Sequence, residues 1–235
     1  MSDLRLDWAT YKAARYACQT WHYSKSFPAG KTVKVGAWES GSFIGVVVFS
    51  RGANKSLFAP YGLKTTEGCE LARVALTDHR APVSQILAGA LRILRRQCPG
   101  LRCVISFADP AQGHHGGVYQ AGNWIYTGQS QPSAAYVGPS GKRWHPRMIS
   151  PTGWKVSFGV RKRVLRPDQC TRIELPGKHR YMMPLDKRLR RQLVAISKPY
   201  PKCVQSIVSD ALDDQSREGG AIPTCTLQSS GGADG

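Results

Sequence analysis

The sequence predicts an α/β fold, a mixed central sheet flanked by helices and followed by a basic C-terminal extension. Three observations predict it. Strand-like and helix-like segments alternate between residues 32 and 127. The apolar strands are short and nearly continuous, as strands covered on both faces are. After Ser150 the apolar patterning gives way to cationic clusters.

The elements follow in order. Asp7 to Thr20 carries Trp8, Tyr11, Ala14 and Cys18 at helical spacing, with Asp7 as the expected cap. Thr32–Glu39 and Ser42–Ser50 flank Ser40-Gly41 and form a hairpin with a two-residue turn. Glu70–Leu76 is a strand, and a polar turn leads to a helix over Ile86–Gln97 that Pro99-Gly100 closes. Cys103–Phe107 is a buried strand running into the Gly- and His-rich segment 108–117. A short helix over Val118–Ala121 and a strand over Trp124–Thr127 follow, then a hairpin from Ala134 to Met148 around Gly138–Gly141. Leu185–Leu193 is an amphipathic basic helix capped by Asp186. Domain limits are expected at 1–150 for the α/β domain, 151–203 for the basic extension and 204–235 for a flexible acidic tail with a Gly/Ser-rich end.

Composition narrows the function. The 235 residues carry 33 Lys or Arg against 15 Asp or Glu, a net charge of +18, and 41% are hydrophobic. A chain this apolar is globular, which excludes a disordered basic tail. Val204–Gly235 holds one basic and five acidic residues, so its net charge of −4 leaves +22 on residues 1–203. A polyanion is the expected partner. No apolar run reaches the roughly 18 residues of a membrane span, and the N-terminus lacks a signal-peptide core, so a cytoplasmic protein is expected. The seven cysteines form no CxxC pair and are expected to be reduced.

Two motifs are misleading. Phe27–Thr32 ends like a phosphate-binding loop, but the first glycine of GxxxxGK[ST] would fall on Lys25. His114-His115 suggests zinc, yet no CxxC or HExxH partner accompanies it. More informative is the order strand, polar turn, helix over 70–97, which presents amides to an anion at a helix N-terminus. Ser84 is the expected N-cap. Alternation places Arg73 on the strand face of Leu71 and Ala75, where it needs a partner such as Glu70, Asp109 or a bound anion.

Glu70–Leu76 with Arg80 before a helix, and Val118–Gly128 with its Tyr, Gly and aromatic, resemble the GNAT-like acetyltransferases, although Val83 and Gln85 stand where that family's pyrophosphate loop favours Gly. Trp21–Lys25, Ala108–Gly117 and Tyr119–Tyr126 together resemble the phage Mom family, which modifies adenine in DNA. That resemblance implies a GNAT-like fold and conversion of the adenine exocyclic amine to its carbamoylmethyl form in the host cytoplasm, protecting phage DNA from restriction. It also implies iron held by His22, Tyr23 and Asp109, with His22 and Asp109 catalytic, and the acetyltransferase resemblance adds Tyr119, at the position of that family's recurrent Tyr, as a catalytic acid. Arg73, Ser84 and Arg80 are then the contacts to acetyl-CoA or a related acyl donor.

Double-stranded DNA is the expected partner, gripped by Lys25, Lys31, Lys142, Arg143, Arg147, Arg161, Lys162, Arg163, Lys187, Arg188, Arg190 and Arg191, with Trp144, His145 and Tyr181 interleaved. The paired target base implies flipping or strand opening. The sequence leaves a dimer open. Two other functions fit the residues: an N-acetyltransferase acting on a protein or small amine, and a non-catalytic DNA-binding protein with a decayed acetyltransferase core.

Overall fold

A computed structural model describes residues 3–202 other than 53, 55 and 158; the acidic tail expected over 204–235 lies outside the described residues. Strands β1 (Leu4–Trp8), β2 (Thr32–Glu39), β3 (Ser42–Ser50) and β4 (Gly68–Leu76) run antiparallel in sequence order. β5 (Cys103–Ala108) joins β4 in parallel, and the sheet is completed in the order β5, β12 (His179–Pro184), β6 (Ile125–Gln129). The β2–β3 hairpin has the limits expected. Ser40 at φ 48° and Gly41 at φ 79° give the left-handed pair that matches strand twist.

The helices divide between the two faces. Helix α2 (Val83–Gln97) and short helix α3 (Gly117–Ala121) cover one face; Ile86, Leu87, Ala90, Leu91 and Leu94 pack there on Val35, Val47, Phe49, Leu71 and Val104. Helix α1 (Tyr11–Thr20) covers Val46, Val48 and Ala75 on the other face. Helix α4 (Lys187–Ala195) fills the rest of that face, with Leu189 and Leu193 packed on Cys103, Ile105, Ile125 and Met182. The helix starts are set at three N-cap positions, two of them with side-chain caps. Thr10, rather than Asp7, accepts the Ala13 N–H, because Leu4–Trp8 is strand and leaves Asp7 inside it. Asp186 caps α4 through the Leu189 N–H, as expected. Pro82, not Ser84, stands at the N-cap of α2, whose first turn begins three residues earlier than the apolar pattern indicates.

Smaller sheets follow β6. β7 (Ser133–Val137) pairs with β8 (Arg143–Trp144) and β11 (Thr171–Leu175), while β9 (Trp154–Ser157) and β10 (Val160–Arg163) form a separate hairpin. The expected boundary at residue 150 does not coincide with a structural division. β12 lies inside the main sheet, hydrogen-bonded to β5 on one side and β6 on the other, and the described residues belong to one compact unit. Among the described residues no helix is long and apolar enough to cross a membrane.

Candidate active site at the sheet split

β4 and β5 share a ladder only over Gly68–Glu70 and Cys103–Ile105, then part. A gap at the carboxyl ends of parallel strands is where open α/β sheets place ligands. Ser106 sits at the point of divergence, its Oγ 3.2 Å from the Leu71 carbonyl and 2.8 Å from the Tyr119 phenol oxygen. A serine hydroxyl has one proton, so when it goes to the carbonyl the phenol donates to Ser106. Burial raises the Tyr119 pKa above the ordinary phenol value. Tyr119 is therefore protonated at neutral pH and able to give a proton to a departing group.

Glu70 is a carboxylate whose charge reaches this phenol, although the register pairs it with Ser50 and Ile105, on the sheet face opposite Leu71. Burial raises its pKa above the usual carboxylate range, against the opposing pull of Arg73 and Lys178. A carboxylate with raised proton affinity is suited to take a proton from an amine.

Arg73 does not share a face with Leu71. The register of β4 on β3 shifts between Val48 and Phe49, pairing Val48 with Arg73 and Phe49 with Leu71, so Ala72 is the extra residue of a bulge. Leu71 packs on the α2 face and Ala75 on the α1 face. Arg73 turns toward the α1 side, where its guanidinium donates to the Ser26 carbonyl at 3.1 Å and to Ser26 Oγ at 3.3 Å. It thus lies toward the opposite face from Ser84 on α2, and the three expected donor contacts are not brought together.

The amides before α2 have a partner of their own. The Glu39 carboxylate accepts the Arg80 N–H at 2.9 Å and the Ala81 N–H at 2.6 Å, and these bonds hold it below the usual carboxylate range. The anion expected at this helix N-terminus is in part the protein's own side chain. The Arg80 guanidinium reaches Ser40 Oγ at 3.2 Å.

His22 is 8% exposed and its ring stacks at 4.3 Å on Tyr23, which is 50% exposed and meets His114 edge-on. Its Nδ1 accepts the Ser24 N–H at 3.1 Å, which places the proton of the neutral ring on Nε2. Burial, with Arg73, His114 and Lys25 nearby, lowers its pKa to about 4. Asp109 accepts the Ala111 N–H at 3.0 Å and pairs with Lys178 Nζ at 2.8 Å. The resemblance implies iron at His22, Tyr23 and Asp109, and the donors as arranged do not fit that role. The His22 Nδ1 lone pair is taken by an amide, Nε2 carries the proton, and the Asp109 carboxylate is paired with a cation. Among the described residues no group of three His, Cys, Asp or Glu side chains is placed to hold a metal ion.

Gly116 explains the Gly- and His-rich turn. At φ +89° it lies against Tyr181, where a Cβ would collide with the ring, and Tyr181 Oη donates to the His115 carbonyl at 2.5 Å. Burial pushes the Cys18 thiol up to about 11 and the Cys103 thiol up to about 12, which disfavours the thiolate at both.

The cationic residues are outward-facing. Lys31, Lys142, Arg143, Arg147, Arg161, Lys162, Arg163, Lys187, Arg188, Arg190 and Arg191 are all exposed. Lys25 is exposed but committed, since its ammonium donates to the Thr20 carbonyl at the end of α1 at 2.6 Å. Of the three interleaved aromatics, His145 is exposed, Trp144 is half-buried and Tyr181 is buried, so Tyr181 is core rather than surface. Concavities of about 540 and 420 Å³ open along α4, lined by Arg190 and Val194 among others. They are surface grooves and contain none of the polar groups at the split.

The model of the Mom protein family matches residues 3–202, the span that holds every group just described. The chain belongs to the Mom protein family. Methylcarbamoylase mom of Escherichia phage Mu is 27% identical to this Mom-family chain over 207 residues, covering 85% of this chain and 84% of that protein. Among solved structures, yncA of Salmonella typhimurium with acetyl-CoA superposes with a TM-score of 0.44 at 11% identity, covering 79% of this chain and 96% of that one. The IAA acetyltransferase of Bacillus cereus gives 0.42 at 12% identity, covering 78% and 100%.

Tyr119 stands out in the sequence, whereas Glu70 reads there only as an ion-pair partner. Glu70 did carry a signal, a lone carboxylate in an apolar strand. Ser106, Lys178 and Glu39 gave none, because their roles arise from partners far away in the chain or across the sheet.

Proposed function

We propose that this chain is a transferase that places a carbamoylmethyl group on the exocyclic amine of adenine in DNA. The observation that carries the reading is the family match over 3–202, with a phage methylcarbamoylase among the relatives. In this reading Tyr119 is the acid and Glu70 the base. In transfer to an amine, the N–C bond forms as the bond to the leaving group breaks; Glu70 takes the amine proton and Tyr119 protonates the leaving group. The thiolate of an acyl-CoA leaves the carbonyl carbon, so an acyl-CoA or related donor enters the proposal as the source of the two-carbon unit, and the group that departs in the transfer step must be one carried on the methylene carbon. Acetyl transfer alone would leave a carbonyl on the adenine nitrogen, whereas the carbamoylmethyl carbon is a methylene. The acid–base pair accounts for the transfer step and not for making that donor carbon reactive.

The exposed cations supply the grip on duplex DNA, and the adenine is flipped to reach the split. Action on phage DNA in the host cytoplasm, with protection from restriction as the outcome, completes the proposal. DNA from a bacterium expressing the chain is expected to resist an endonuclease whose site contains adenine. Normal cleavage of DNA from cells containing abundant soluble protein would count against the reading. Release of a free thiol from acetyl-CoA without DNA, with a protein or small amine acetylated, would favour the N-acetyltransferase alternative.

A further inference from the structure

The β9–β10 hairpin differs from every other strand pair in its exposure. All its described side chains are exposed apart from half-buried Lys155, with Trp154 at 44%, Val156 at 68% and Val160 at 55%. Opposed residues in an antiparallel pair share a face, so the register puts Trp154, Arg163, Val156 and Arg161 on one side and Lys155, Lys162, Ser157 and Val160 on the other. Both sides carry cations, and residues 154–163 include four basic residues and no acidic one. Arg161 lies over the Trp154 ring at 4.7 Å. An isolated two-stranded ribbon is marginally stable in water and normally buries one face. Among the described residues neither face is covered, apart from the partial shielding of Lys155.

We propose that this hairpin is an arm that enters the major groove of duplex DNA beside the target adenine. The proposal rests on the reading of the chain as a DNA-adenine transferase. Charge on both faces matches a site with phosphates on both sides, and a polyanionic groove supplies such walls whereas a flat surface does not. Width favours one groove: the major groove, about 12 Å across, admits a two-stranded ribbon in undeformed B-DNA, whereas the minor groove, about 6 Å, must be widened to take one. The adenine amine lies on the major-groove edge. An arm there holds the protein on the side from which that amine is exposed. Val156 and Val160 offer apolar contacts of the kind that read a thymine methyl group.

The test measures binding of the full chain to a duplex by fluorescence anisotropy over a range of salt concentrations. Arg161→Ala/Lys162→Ala/Arg163→Ala together are expected to weaken binding and to lower the slope of log affinity against log salt by about 2 to 3, near 0.9 for each phosphate no longer neutralised. The single variant Lys162→Glu is expected to act in the same direction, and unchanged circular dichroism identifies both as folded. Duplexes whose cytosines carry glucosylated hydroxymethyl groups, which fill the major groove, are expected to bind wild type more weakly. A minor-groove ligand is expected to leave binding unchanged. An unaltered salt slope in folded variants, or displacement by the minor-groove ligand alone, would overturn the arm while leaving the transferase reading intact. Absence of any DNA binding by wild type would overturn both.

Discussion

Leu189→Ala is expected to destabilise the whole folded unit. Leu189 is fully buried on α4, packed on Cys103 and Ile105 of β5 and Met182 of β12. Truncating a buried leucine costs about 2–5 kcal/mol once the residual cavity is included, a large part of the roughly 5–15 kcal/mol that holds a typical domain together. With a urea dependence of about 2–3 kcal/mol per molar, the midpoint is expected to fall by about 1–2 M. Trp124, 1% exposed in the core on the α2 face, reports the transition by fluorescence. The control is Arg188→Ala/Arg191→Ala on the exposed side of the same helix, expected to change stability by about 0.5 kcal/mol or less per residue while weakening DNA binding. If α4 belonged to an appended extension, Leu189→Ala would melt the helix locally and leave the Trp124 transition in place. That result would refute the account of α4 as part of the core.

The split makes three further predictions. Tyr119→Phe removes the acid and its 2.8 Å contact with Ser106 while keeping the ring, and is expected to lower the transfer rate by about 10²–10⁴ with little change in the urea midpoint. Glu70→Gln is expected to abolish the acid limb of the rate–pH profile, since loss of activity at low pH reports protonation of a carboxyl whose pKa burial has raised. For His22 the folded pKa, about 4, lies below the ordinary 6.5, so between those values the unfolded chain binds more protons and stability rises with pH. Its contribution, up to about 3 kcal/mol at 1.36 kcal/mol per unit, is expected to be complete above pH 6.5 and to be lost as pH falls toward 4. Urea midpoints for wild type and His22→Asn across that range test the sign, and parallel curves would contradict it.

Local chemistry made much of this fold legible. Ser40-Gly41 fixed the β2–β3 hairpin, and Asp186 before an amphipathic run fixed the start of α4. What pairs across long separations was not legible. β12 begins with His-Arg, ends on Pro184 and has no adjoining hairpin turn, so nothing local marks it as an inner strand between β5 and β6. One bulged residue, Ala72, turned Arg73 to the face opposite the one that strict alternation gives. At the site, Tyr119 was identifiable from its motif. The Glu39 carboxylate on the Arg80 and Ala81 amides was not, because 41 residues separate Glu39 from Arg80 and the sequence shows only an unfilled helix N-terminus.

The central claim is that the chain transfers a carbamoylmethyl group to adenine through the split between β4 and β5. It is tested most directly by digesting DNA from cells expressing wild type or Tyr119→Phe to nucleosides and measuring modified deoxyadenosine by mass spectrometry. Wild type is expected to yield deoxyadenosine heavier by one carbamoylmethyl group, and Tyr119→Phe, equally soluble and folded, is expected to yield little of it. Unmodified deoxyadenosine from wild type, or equal modification by both proteins, would contradict the account.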